Sequence, residues 1–63
     1  MSKKEYTDRF GLYTIQGDRN GSYTLFCYNK SNGHLDYKRT YKTEDGAKRA
    51  LSRYCDGMPK LTS

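Results

Sequence analysis

Cationic side chains interspersed with hydroxyl and amide groups are the residues of this sequence that could do chemistry. Lys and Arg number 12 against seven Asp and Glu, so the formal net charge is +5. Cations beside hydroxyl donors suit phosphate oxygens, and Gln, Thr and Lys can contact base edges in a groove. The candidate nucleic-acid-binding residues are Thr14, Gln16, Arg19, Tyr23, Lys30, Lys38, Thr40 and Lys42.

Residues that could support catalysis or hold a metal are few. His34 is the single histidine and directly follows Asn32-Gly33, so we expect an exposed turn residue rather than a general base in a pocket. Cys27 and Cys55 would be nucleophiles only beside a base that lowers their pKa, and with His34 they lack the spacing of a zinc site. The sequence therefore predicts no enzyme, no metal and no cofactor.

Length and composition limit the class of protein. A chain of 63 residues forms one small domain at most. The sequence has no run of about 18 apolar residues and no apolar segment after its basic start, which predicts neither a membrane span nor a signal peptide. Two cysteines are too few for a disulfide-rich secreted scaffold, so we expect a cytoplasmic protein, nucleoid-associated if it binds DNA.

Three strand-like runs rich in Tyr, Thr, Phe and Leu must position the candidate residues. They cover residues 10–16, 22–30 and 35–42. Asn20-Gly21 and Asn32-Gly33 separate the runs, and Asn-Gly favours a two-residue hairpin turn in which both positions have positive φ. Two successive hairpins predict a three-stranded antiparallel sheet.

One helix is expected after the sheet. Thr43 can cap it, and the acidic residues that follow suit the positive end of the helix dipole. Gly57 is expected at the C′ position, and Pro59 prevents continuation. Apolar residues recur at spacings of three and four and predict one buried stripe: Ala47, Ala50, Leu51, Tyr54 and Met58.

The predicted fold class is α+β, a three-stranded antiparallel sheet made of two Asn-Gly hairpins with one C-terminal helix packed on one face. Residues 1–8 are expected to form a flexible N-terminal segment and residues 59–63 a C-terminal tail. The single βββα domain is expected to cover residues 9–58. Seven tyrosines and few aliphatic residues predict a core built mostly from tyrosine.

Two-residue turns also predict which side chains share a face. Ile15 would then face Phe26, and Tyr28 would face both Tyr13 and Tyr37. The face toward the helix would carry Tyr13, Ile15, Phe26, Tyr28, Leu35, Tyr37, Arg39 and Tyr41. The opposite face, called the open face below, would carry Leu12, Thr14, Gln16, Tyr23, Leu25, Cys27, Asp36, Lys38, Thr40 and Lys42. A single bulge would exchange Phe26 and Tyr28 with Leu25 and Cys27.

The predicted meander, followed by a helix that opens Thr-acidic-acidic-x-Ala, resembles AP2-type domains and the arm-binding domains of tyrosine recombinases. The resemblance runs from Gly11 to Tyr54 and includes the segments 21–28, 31–33 and 41–50. In those families the sheet face away from the helix lies in the DNA major groove. By position, the resemblance implicates Thr14, Gln16, Tyr23, Lys38, Thr40 and Lys42.

The first hypothesis is a small basic nucleic-acid-binding domain that contacts duplex DNA through the open face. The alternative is a protein-binding module, such as a phage-encoded or mobile-element-encoded inhibitor or adaptor of a host protein. Apolar and aromatic residues expected on the open face, Leu12, Tyr23, Leu25 and Cys27, motivate that alternative. A third possibility is self-association through an edge strand or the same face, so a monomer or weak dimer is expected.

Overall fold

The computed structural model of this protein describes residues 3–62, which form one antiparallel sheet and one helix. The strands lie side by side in the order β4-β3-β2-β1-β5, and the helix packs across β2, β3 and β4. In chain order the elements are β1 (Lys3–Thr7), β2 (Gly11–Gly17), β3 (Tyr23–Asn29), β4 (Leu35–Tyr41), α1 (Glu44–Tyr54) and β5 (Lys60–Leu61).

The prediction of a three-stranded sheet is wrong, because both terminal segments add a strand. β1 lies in the segment expected to be flexible and pairs with β2 from Lys3↔Gln16 to Thr7↔Leu12. β5 lies in the expected tail and pairs with β1. Pairing satisfies the N–H and C=O groups that β2 would otherwise present at an edge. β1 buries only Tyr6, so the sequence shows no alternating apolar pattern there.

The turn between β1 and β2 is organised by the carboxylate of Asp8. Its Oδ1 accepts hydrogen bonds from Phe10 N at 2.8 Å, Gly11 N at 2.9 Å and Tyr13 Oη at 2.9 Å. Gly11 also lies against β3, where an added Cβ would collide with the carbonyl oxygen of Tyr28. The start of β2 therefore depends on the Asp8 carboxylate and on the lack of a side chain at Gly11.

The first Asn-Gly turn is longer than predicted. Asp18 N donates to Ser22 O at 2.8 Å, so three residues rather than two lie between the paired ends of the strands. Gly21 has the expected positive φ of 87°, but Asn20 does not share it; instead Asn20 Oδ1 accepts from Ser22 N at 3.2 Å. The extra loop residue shifts β3 by one position, so Ile15 faces Leu25 instead of Phe26.

The second Asn-Gly turn also departs from the prediction. Asn29 N donates to His34 O at 3.0 Å, which leaves four residues in the loop, and Gly33 has a φ of 73°. A register shift follows at once, because Tyr28 pairs with Leu35 whereas Cys27 pairs with Tyr37. Asp36 is thus the extra residue of a β-bulge. Beyond the bulge, each β4 side chain lies on the same face of the sheet as the β3 side chain with which it pairs.

The shifted register exchanges the two faces of β3. Leu25 and Cys27 lie in the core beneath α1, and Phe26 and Tyr28 lie on the open face, which corrects the predicted assignment. The predicted tyrosine-rich core is present in part, since it includes two buried tyrosines. The buried residues of the hydrophobic core are Tyr6, Tyr13, Ile15, Leu25, Cys27, Ala47 and Leu51, with Tyr23, Tyr37, Tyr41, Ala50 and Cys55 packed against them.

The helix begins as predicted and ends differently. Thr43 is the N-cap, and its hydroxyl accepts from Gly46 N at 3.0 Å. At the other end Asp56, not Gly57, takes the left-handed position, with a φ of 55°. Gly57 N reaches back to Ser52 O at 2.7 Å, which completes a Schellman-type cap. With 11 residues, this helix of the described chain is too short to cross a membrane.

Candidate nucleic-acid interface

The open face carries a pair of aromatic rings at its centre. Phe26 and Tyr28 project from β3, two residues apart, with ring centroids 6.4 Å apart and planes inclined by only 19°. Phe26 is half-buried and Tyr28 is exposed. No described element covers this face, because the helix packs on the other side. A near-parallel pair of rings on an uncovered sheet offers stacking surface to a flat ligand.

Lys38 lies beside this aromatic pair. It is the cross-strand neighbour of Phe26, and its Nζ lies 5.6 Å from the centroid of the Phe26 ring. The attraction between an ammonium and an aromatic ring holds the charge over the open face. No ion pair involves Lys38 among the described residues, so its ammonium is available to an anion.

Hydroxyl and amide groups continue the open face toward the turn between β2 and β3. Thr24 Oγ1 and Thr40 Oγ1 lie 3.2 Å apart across β3 and β4. A depression of about 270 Å³ here is lined by Gln16, Gly17, Asp18, Thr24, Phe26, Lys38 and Thr40. These groups can donate hydrogen bonds to base edges and accept them, whereas Asp18 at the rim repels phosphate.

An apolar stripe crosses the other end of the open face. Leu12, Tyr28 and Leu35 are neighbours on three adjacent strands, and they are 51%, 37% and 45% exposed. The stripe extends the aromatic surface rather than the polar one. The open face is therefore apolar at one end, aromatic in the middle and polar at the other.

The predicted site residues are only partly brought together. Four of them share the open face: Thr14, Gln16, Lys38 and Thr40. Lys42 is exposed directly after β4, and Arg19 and Lys30 lie in turns at opposite ends of the sheet. Tyr23 turns toward α1 and packs against the core. The prediction that Phe26 and Tyr28 face the helix is wrong. The exchange expected from a single bulge arises instead from the longer turn between β2 and β3.

The side chains considered for other chemistry lie outside this face. Burial raises the pKa of the Cys27 thiol to about 12 and also raises the pKa of Cys55, so both thiols are protonated near neutrality. His34 is exposed in the turn between β3 and β4. Within residues 3–62, no three His, Cys, Asp or Glu side chains are grouped so as to hold a metal ion.

Comparison of this chain with known protein families, with curated proteins and with solved structures finds no match. The chemistry of the open face is therefore the basis for assigning a function to this protein.

Proposed function

We propose that this protein is a nucleic-acid-binding module that uses the open face of its sheet. The observation that carries the proposal is the near-parallel Phe26–Tyr28 pair on an uncovered surface, with Lys38 beside it. Bases stack on exposed aromatic rings with about 1–3 kcal/mol each, and a lysine next to the rings can contact the adjoining phosphate. Thr14, Gln16 and Thr40 supply hydrogen-bonding groups on the same surface.

Unpaired bases fit this surface better than a duplex does. In a duplex the flat faces of the bases are buried in the stack, and only their edges are offered in the grooves. The rings of Phe26 and Tyr28 and the leucines of the apolar stripe can contact the flat faces of bases, and of these side chains only Tyr28 carries a group that can hydrogen-bond to a polar edge. Duplex DNA, the ligand expected from the sequence, remains the second candidate ligand. Gln16, Lys38 and Lys42 would contact its major groove.

The test is fluorescence anisotropy with a labelled single strand of about 30 nucleotides and the matching duplex. Phe26→Ala and Tyr28→Ala should each weaken single-strand binding about tenfold, because each removes one stacking surface. Lys38→Ala should weaken binding and reduce its salt dependence by about one phosphate contact.

Phe10→Ala is the matched control, because Phe10 is an aromatic residue that is 73% exposed in the turn between β1 and β2 and is not part of a sheet strand. Its affinity should equal that of the wild type. Unchanged affinity in both Phe26→Ala and Tyr28→Ala would reject the open face as the binding surface. Tighter binding of the duplex than of the single strand would favour groove contacts over stacking.

The apolar stripe favours protein binding as the second candidate function. Exposed leucine and tyrosine side chains on adjacent strands suit a hydrophobic partner surface. A stoichiometric protein complex that survives nuclease and about 0.5 M salt, and that Leu12→Ser abolishes, would support this function. Failure of Leu12→Ser to affect the complex would exclude the stripe as its interface.

A further inference from the structure

A second candidate site lies on the helix side of the sheet, away from the open face. A groove of about 660 Å³ separates α1 from the edge strand β4. Arg39 from β4 and Arg49 and Arg53 from α1 line it, and all three are exposed. The remaining lining is contributed by Tyr37, Tyr41, Gly46, Ala50 and Tyr54.

The three arginines have no acidic partner within the part of the chain that the structure describes. The ion pairs found there join Glu44 to Lys4 at 2.6 Å and to Lys48 at 3.5 Å, outside the groove. Arg49 and Arg53 are also four residues apart on one helix, a spacing at which like charges repel. Helix dipole stabilisation accounts for Arg53 in the last turn but not for Arg39 or Arg49.

The chemistry of the groove suits phosphate. A guanidinium group presents parallel N–H donors that match two oxygens of a phosphate, and it has no acceptor to satisfy within the protein. A terminal phosphate group carries about −1.5 to −2 charges near neutral pH, whereas each phosphodiester of a nucleic-acid backbone carries one. Three guanidinium groups therefore match about two phosphates of a small ligand or about three consecutive backbone phosphates.

Tyrosine hydroxyls add donors to this groove. Tyr37 Oη and Tyr41 Oη lie 2.9 Å apart, so one hydroxyl donates to the other and one hydrogen is left for a ligand. Burial and this hydrogen bond raise the pKa of Tyr41 to about 12, and its hydroxyl therefore keeps its proton near neutrality. Tyr54, packed 5.4 Å from Tyr37 between ring centroids, closes one wall with an aromatic surface.

We propose that the groove between α1 and β4 binds a ligand with two or more phosphate groups through Arg39, Arg49 and Arg53. The ligand is a polyphosphate such as a nucleotide, or consecutive phosphates of a nucleic-acid backbone. The site shares no residue with the open face, so it stands whether or not that face binds bases.

The test is calorimetric titration of the full chain with inorganic pyrophosphate, with a nucleoside triphosphate and with a single-stranded oligonucleotide. Arg39→Ala, Arg49→Ala and Arg53→Ala should each weaken binding about tenfold, because each removes charged hydrogen bonds. Arg49→Lys should weaken it less, because it keeps the charge but loses the two-point contact. Thermal unfolding should show that these exposed-site variants remain folded.

Arg9→Ala is the matched control, since Arg9 is exposed in the turn between β1 and β2 and its removal changes the net charge equally. A selective loss of pyrophosphate or nucleotide binding in the groove variants supports a small ligand. A selective loss of oligonucleotide binding alone supports backbone phosphates. Absence of binding to all three probes, unchanged affinity in all three arginine variants, or an equal loss in Arg9→Ala, overturns the proposal. Phe26→Ala tests the open face separately, so the two proposals can fail independently.

Discussion

At the scale of single residues, the side chain of Asp8 determines how β2 begins. Its Oδ1 gathers two backbone N–H groups and the Tyr13 hydroxyl into one turn. Partial burial by itself raises the pKa of Asp8, but these hydrogen bonds to the ionised form outweigh it and lower the pKa below the ordinary value of an aspartate. Asp8 is thus more acidic in the folded protein than in the unfolded chain.

We expect Asp8→Ala to reduce the free energy of unfolding by about 1–3 kcal/mol near neutral pH, because three donors lose their acceptor. A lowered folded-state pKa gives stability that is present above the unfolded pKa and is lost as the pH falls through the folded value. Asp8→Asn keeps an acceptor oxygen but does not titrate, so its stability relative to the wild type should rise as the pH falls below about 4. Urea unfolding of Asp8→Asn and the wild type, near neutral pH and below about pH 4, measures this change. A difference in unfolding free energy that does not depend on pH would contradict the role assigned to Asp8.

At the same scale, the aromatic pair shows why residue types alone did not locate the candidate site. Phe26 and Tyr28 are apolar, so period-two reasoning places them toward the helix, and their buried neighbours Leu25 and Cys27 are equally suitable for a core. Both assignments bury apolar side chains on β3. The composition of the strand could not choose between them, because its two faces are similarly apolar.

At the scale of elements, α1 is the part of the fold best predicted from local sequence. The Thr43 cap, the acidic first turn and the buried Ala47 and Leu51 lie where the pattern placed them. The C′ position lies one residue earlier than predicted, because Asp56 and not Gly57 takes the left-handed conformation there. Asp tolerates that conformation better than most residues, and the glycine after it leaves the cap free to close.

Asp56→Gly should therefore stabilise the protein. Removing the Cβ from a left-handed position relieves about 0.5–1 kcal/mol of strain, net of the extra freedom that glycine has in the unfolded chain. A shift of that size corresponds to a rise in Tm of about 2–8 °C for a domain this small. Asp56→Ala serves as the opposite control and should lower the Tm. If Asp56→Gly melts below the wild type, strain is not what this position contributes.

The sheet shows the limit of local reasoning at this scale. Gly21 and Gly33 were correctly expected to take positive φ, and both turns lie where Asn-Gly predicts them. The predicted loop lengths are wrong, because the first hairpin encloses three residues and the second encloses four, instead of two each. Asn20 Oδ1 accepts a hydrogen bond from Ser22 N, and Asn20 does not take a left-handed conformation.

At the scale of the whole molecule, β1 connects the sheet to the helix. Tyr6 is buried to 5% exposure in the core, and Lys4 on the same strand pairs with Glu44 at the start of α1. The hydrogen bond from Lys4 lowers the pKa of Glu44 and raises that of Lys4. A segment that the sequence predicts to be flexible thus completes the core of a small domain.

Tyr6→Ala should unfold most of the population. Loss of a buried aromatic ring costs about 3–5 kcal/mol, which is close to the whole stability expected of a domain of this size. Tyr6→Phe retains the ring and should stay folded. Far-UV circular dichroism with urea titration distinguishes the two variants. A well-folded Tyr6→Ala would show that β1 adds little to the core.

The sequence by itself determined the local features of this protein: α1 with its cap, the three central strands, and two turns that require glycine. Each depends on residues close together in the chain, where propensity and periodicity act directly. Only the tertiary structure decided the strand count and the faces of β3. β1 and β5 exist because partner strands satisfy their backbone, and one additional loop residue carries every side chain of β3 to the opposite face.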